Sequence, residues 1–207
     1  MTNLSFAAES KSTVTILALG DSTTAGTPYF QSPLESPPEG RGFKDNAYGY
    51  WIEQSHAGWQ VLNYGVSGER SDQILARTPA ALQTQPSVAI VLAGVNDLYQ
   101  GYPVEWAEDH LKKIYAMMSE KNIRVVACSV LPYNASTDEV RRKMAELNDW
   151  IAAYCRSRGF IYFDGFHLLE NPEAPGTLTA SPDGLHPDRT GYRKLGEGLA
   201  DLLEKNV

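Results

Sequence analysis

Val14-Thr15-Ile16-Leu17-Ala18-Leu19-Gly20-Asp21-Ser22 is an apolar, β-branched run that stops at a glycine, an acid and a hydroxyl. Residues 14–19 do not alternate strictly between polar and apolar, which is the pattern of a strand covered on both faces. Four further runs share that character: 60–64, 87–93, 123–130 and 160–163. Helical stripes separate several of them. Ala107, Leu111, Ile114 and Met118 recur every three to four residues, as do Val140, Met144, Leu147, Ile151 and Tyr154, then Tyr192, Leu195, Leu199 and Leu202. Each stripe is one apolar face to lay on a sheet. Residues 46–56 hold a less regular helical candidate between the first two strands. Strand–helix alternation repeated five times predicts an α/β fold: a three-layer α/β/α sandwich on a five-stranded parallel sheet of flavodoxin-like order, with right-handed crossovers. No repeat or linker interrupts residues 1–207, so the expectation is a single domain.

In such a sheet, binding sites form beyond the carboxyl ends of the strands, near the point where strand order reverses. The polar groups of this chain gather at those ends. Ser22 follows the first strand, Asn63-Tyr64-Gly65-Val66-Ser67-Gly68 ends the second, and Gly94-Val95-Asn96-Asp97 follows the third. Asp183-Gly184-Leu185-His186-Pro187 lies after the fifth and before the last helix. Ser22 offers a hydroxyl nucleophile and Asn96 a neutral amide donor. Gly68 allows close approach to its backbone N–H. Pro187 pushes His186 toward an extended conformation, and a turn of this length puts the Asp183 carboxylate against one imidazole nitrogen, leaving the other for Ser22. Asp188 is placed as the N-cap of the final helix, and Asp97 as a cap of the segment after it. His56, His110 and His167 are read as structural or solvated.

Residues 27–45 break the rhythm with Pro28, Pro33, Pro37, Pro38 and two glycines, too many breakers for a helix or a central strand. This segment is either a surface insertion or a wall of a pocket built with Tyr29 and Phe30. Tyr99, Tyr102 and Tyr133 also follow strand ends and complete the candidate substrate pocket; Trp106 is assigned to packing.

The composition narrows the partners. A net charge of −7 without a long basic run argues against nucleic acid or an anionic membrane surface. No stretch approaches about 18 apolar residues, and residues 1–12 show no leader-type apolar core, so the expected setting is cytoplasmic with no stable membrane insertion. Cys128 and Cys155 lack metal-type spacing and read as buried thiols.

Taken together, these segments resemble the SGNH hydrolases, the GDSL-type lipase/acylhydrolase family, across residues 17–191 and in the family's order. Gly20-Asp21-Ser22-Thr23 is similar to its first block, with Thr23 in place of the usual leucine. The second, third and fifth blocks match at Gly68, at Asn96 and at Asp183 with His186. The resemblance implies catalysis by Ser22, Asp183 and His186, with an oxyanion hole of Asn96 and the N–H groups of Gly68 and Ser22. It also implies a small-molecule ester substrate and no metal or organic cofactor. Two other readings stand beside esterase: transfer of the acyl group to a sugar hydroxyl, and a non-catalytic flavodoxin-like binding module. The absence of G-x-G-x-x-G and P-loop patterns weighs against the latter. Neither the identity of the ester nor the oligomeric state is written in these residues.

Overall fold

The structure, a computed structural model, describes residues 13–206; residues 1–12, read above for a leader, lie outside them. The chain runs through β1 (Val14–Gly20), a one-turn α1 (Ser22–Ala25), a hairpin of β2 (Phe30–Gln31) and β3 (Arg41–Gly42), then α2 (Tyr48–Ser55) and β4 (Trp59–Gly65). It continues through α3 (Ser71–Ala81), β5 (Val88–Leu92), α4 (Val95–Tyr99), α5 (Val104–Glu120) and β6 (Arg124–Cys128). The last elements are α6 (Asp138–Arg158), β7 (Ile161–Phe163), α7 (Gly165–Leu169) and α8 (Arg189–Glu204). Five strands form one parallel sheet in the order β4-β1-β5-β6-β7. With the separate hairpin left aside, this is the flavodoxin-like 2-1-3-4-5 order. The topological switch therefore lies between the carboxyl ends of β1 and β5.

Both faces of the sheet are covered, as the apolar strands require. Leu17 and Leu19 pack in one layer with Ile74, Leu111, Ile114 and Leu147, from α3, α5 and α6. Ile16 and Ala18 pack in the other with Tyr48, Ile52, Leu195 and Leu199, from α2 and α8. Burying each large aliphatic side chain contributes about 1.5–3 kcal/mol, and truncating one to alanine typically costs about 2–5 kcal/mol. Among the described residues no helix is long and apolar enough to cross a membrane. Cys128 and Cys155 are buried free thiols, and burial pushes Cys155 up to about 11.

The structure departs from the sequence reading in places that have local causes. β6 ends at Cys128 rather than 130 because the Asn148 carboxamide engages both the N–H (2.7 Å) and the C=O (3.0 Å) of Val130. Those backbone groups are then satisfied without a ladder partner. α3 has no counterpart among the stripes read above. Its buried positions are Ser71, Ile74, Thr78 and Ala81, helically spaced but with one large apolar side chain, and Pro79 sits inside it. The candidate at 46–56 resolves into a 3-10 turn over Lys44–Asn46 followed by α2. Asp188 does cap α8, accepting the Gly191 N–H at 2.8 Å.

Candidate active site

Gly20 ends β1 where any side chain would collide with Thr24 and with the Leu92 carbonyl. Its absence lets α1 start immediately, with Asp21 as N-cap accepting the Thr23 N–H at 3.0 Å. Ser22 is thereby the first helical residue at the carboxyl end of β1, 7% exposed. His186 Nε2 lies 2.8 Å from Ser22 Oγ, across 164 residues of sequence. On the other side of the ring, Nδ1 lies 2.7 Å from Asp183 Oδ2, while Asp183 Oδ1 accepts the N–H groups of Leu185 (2.9 Å) and His186 (2.8 Å). Gly184 supports this turn with φ +78°, a conformation that favours glycine. Burial opposes the ionisation of Asp183, but the His186 ring and these two N–H groups outweigh it and hold the carboxyl below its ordinary range. A carboxylate on Nδ1 and a hydroxyl on Nε2 is the arrangement in which an imidazole takes a hydroxyl proton.

The donors stand on neighbouring strand ends. Asn96 Nδ2 donates one hydrogen bond to the Glu69 carbonyl (2.9 Å). An amide has two such hydrogens, so the second remains for a ligand. Gly68, at φ +79°, a conformation that favours glycine, lines the same cavity as Ser22 and Asn96. The Ser22 N–H belongs to the first turn of α1, where helix N–H groups lack intrahelical partners. Asp97 does not cap the segment after it, as the sequence suggested. It is fully buried and accepts the Ser71 N–H (2.9 Å) and hydroxyl (2.6 Å), tying the start of α3 to α4.

Ser22, Gly68, Asn96 and His186 share one cavity of about 220 Å³. Leu92, Val95, Leu131, Pro132 and Leu185 give it apolar walls; Tyr99 and Tyr133 form an edge-on aromatic pair on its side, 6.4 Å between centroids. Three candidates lie elsewhere. Phe30 is buried in the hairpin opposite Gly42, and Tyr29 is half exposed beside Phe43 and Arg189. Tyr102 packs against the Arg70 guanidinium and against Trp106. The segment 27–45 instead reaches the cavity through Thr27, whose hydroxyl lies 2.9 Å from that of Ser67. It also braces the second glycine loop: Ser32 Oγ donates to the Gly65 carbonyl (2.6 Å), and Glu35 accepts the Ser67 N–H (2.8 Å). Leu131 and Pro132 escaped the sequence reading although they follow β6 as Tyr133 does, and position after a strand was the signal that pointed to them.

One histidine is solvated, as expected, yet sits in a turn that the sequence reading passed over. His167 sits in Asp164-Gly165-Phe166-His167, with its Nδ1 2.7 Å from Asp164 Oδ2. This turn resembles the one at His186, but its ring faces solvent. His110 lies 3.2 Å from Ser71 Oγ against Trp106, and His56 stacks on Trp59, both in packing roles.

Comparison with known proteins agrees with this fold. Residues 18–194 match the family model of the GDSL-like Lipase/Acylhydrolase family. Among curated proteins, a thioesterase 1/protease 1/lysophospholipase L1 of Escherichia coli is 27% identical, over 93% of this chain and 85% of its own length. Among solved structures, a member of the lipolytic G-D-S-L family from Veillonella parvula superposes with a TM-score of 0.78 at 18% identity, covering 93% of this chain and 99% of that one. A carbohydrate acetylesterase from Sinorhizobium meliloti superposes with a TM-score of 0.75 at 16% identity, covering 94% and 100%.

Proposed function

This chain belongs to the GDSL-like lipase/acylhydrolase family, and on that premise we propose that it is a serine esterase acting through an acyl-enzyme on small neutral esters. The observation that carries the reading is the continuous line Asp183 Oδ2–His186–Ser22 Oγ, with spacings of 2.7 and 2.8 Å, opening into the apolar cavity. Ser22 Oγ attacks the ester carbonyl carbon while His186 Nε2 takes its proton. Asp183 holds the Nδ1–H tautomer and stabilises the imidazolium. The oxyanion is bound by Asn96 Nδ2 and the N–H groups of Gly68 and Ser22, donors already in place before charge develops. As the tetrahedral intermediate collapses, the C–O bond to the alcohol breaks and His186 returns the proton to the leaving oxygen. Water then repeats the sequence against the acyl-Ser22 ester, releasing the acid and restoring the hydroxyl.

The cavity supports the substrate class. His186 is the one basic side chain on its wall, and the remaining polar groups are hydroxyls, Asn96 and backbone. At about 220 Å³ it is smaller than the roughly 300–1,000 Å³ of drug-sized ligand pockets. It suits one short apolar arm of an ester, with the other arm toward solvent past half-exposed Tyr99 and Leu185. A p-nitrophenyl ester series of increasing acyl length tests both points. Short to medium chains are expected to turn over best, and Ser22→Ala to lose hydrolysis by at least about 10⁴-fold with its fold intact. Turnover retained in Ser22→Ala overturns the mechanism; preference for charged or long-chain esters overturns the substrate class.

A further inference from the structure

Arg77 lies on α3, one layer behind the reacting groups and outside the cavity wall. Its Nη2 donates to the Gly20 carbonyl at 2.8 Å, two residues before the nucleophile. Its Nε donates to Glu69 Oε2 at 2.6 Å, and both side chains of that pair are more than four-fifths buried. Glu69 is the residue after Gly68, and its carbonyl is the acceptor that holds the Asn96 amide. One planar guanidinium therefore connects the end of β1, the loop that presents the Gly68 N–H, and, through Glu69, the Asn96 side chain.

We propose that Arg77 is a positioning residue that sets the spacing between Ser22 and its oxyanion donors; the proposal rests on the serine-esterase reading above. Three features distinguish it from an ordinary ion pair. Exposed pairs hold their side chains loosely and contribute little, whereas this one is buried and ends on a backbone carbonyl as well as a carboxylate. The guanidinium fork fixes two directions at once, which an ammonium does not. The arrangement also leaves polar atoms unmatched: Arg77 Nη1 and Asp21 Oδ2 are buried without a hydrogen-bond partner. Burial pushes the Asp21 carboxyl up to about 7, against the Thr23 N–H and the Arg77 charge. Orphaned polar atoms directly behind a nucleophile are a cost to stability, and such costs collect where geometry serves function.

The test is steady-state kinetics on the full chain with p-nitrophenyl butyrate, together with the affinity for phenylboronic acid, whose serine adduct is tetrahedral. Arg77→Met keeps an unbranched stem and removes both hydrogen bonds. It is expected to lower kcat about 100-fold, the cost of misplacement on the ångström scale, with KM within about threefold and boronate affinity falling with kcat. Arg77→Lys, with one donor group, is expected to recover about tenfold of that loss. Should Arg77→Met fail to unfold cooperatively, Glu69→Gln and Arg77→Lys carry the test, each expected about tenfold down in kcat. Unchanged kcat, or a rise in KM with boronate affinity retained, overturns the positioning role. Ser22→Ala in the same series separates the failures: activity surviving there overturns the esterase reading and this proposal together, whereas activity lost there and unchanged in the Arg77 variants overturns the positioning role alone.

Discussion

Asp164-Gly165-Phe166-His167 and Asp183-Gly184-Leu185-His186 share one four-residue pattern, and both fold so that the aspartate accepts the histidine N–H and contacts its Nδ1 at 2.7 Å. They differ in the residue after the histidine and in the group that faces its other nitrogen. Leu168 continues a helical turn after His167, for which Asp164 is the N-cap. Pro187 blocks that continuation after His186, and Gly184 has already turned left-handed. The His186 side chain is 13% exposed with Nε2 against Ser22; the His167 side chain is 74% exposed beside Phe166. The aspartate–histidine contact is thus a local product of three-residue spacing and forms wherever the turn allows. What separates the two is Pro187, which ends the turn at His186, and the long-range contact with Ser22 at the end of β1.

Substitution of the two histidines is the sharpest way to break this comparison. His186→Ala is expected to lower kcat by about 10⁴-fold or more, since nucleophile and base act as a unit. His167→Ala is expected to leave kcat and KM within about twofold, as an exposed surface change away from the cavity should. Equal losses in both would mean that the second turn takes part in the chemistry. A smaller effect lies in titration. The hydrogen bond and charge of Asp164 raise His167 above the ordinary histidine value of 6.5. Because the folded value is raised, this pair's contribution to stability is present below the unfolded pKa and fades as pH rises through the folded one. Its exposure keeps that contribution small. Imidazole NMR titration is expected to show Asp164→Asn returning His167 toward 6.5; no change on substitution would remove the pairing. Asp183 works with the opposite sign. Its folded value is lowered, so its contribution is present above about 3.8 and lost as pH falls further.

The same distinction governs how much of the molecule was legible in its sequence. Periodicity revealed the five main strands and the helices α5, α6 and α8 because each buries a continuous apolar stripe. α3 escaped because Ser71, Thr78 and Ala81 are buried by close approach and hydrogen bonding rather than by bulk, as Ser71 shows with Asp97. In the site, Ser22, Gly68, Asn96, Asp183 and His186 converge because a parallel sheet gathers its carboxyl ends. Tyr29, Phe30 and Tyr102 shared that neighbourhood in sequence without sharing the cavity. Position after a strand limits where a residue lies, but the turn it sits in decides where its side chain points, and for Tyr102 the partners were Arg70 and Trp106. His167 shows the converse: it shares the four-residue pattern of His186, and the proline after His186 together with the contact to Ser22 tells the two apart.

The central claim, that Ser22 is the nucleophile activated through His186, is tested most directly by peptide-mapped mass spectrometry after treatment with an alkyl fluorophosphonate, which bonds to activated serine hydroxyls. A single adduct on Ser22 is expected in the native chain and in His167→Ala, forming orders of magnitude more slowly in His186→Ala and absent in Ser22→Ala. An adduct on another residue, or labelling of Ser22 at the same rate without His186, would contradict it.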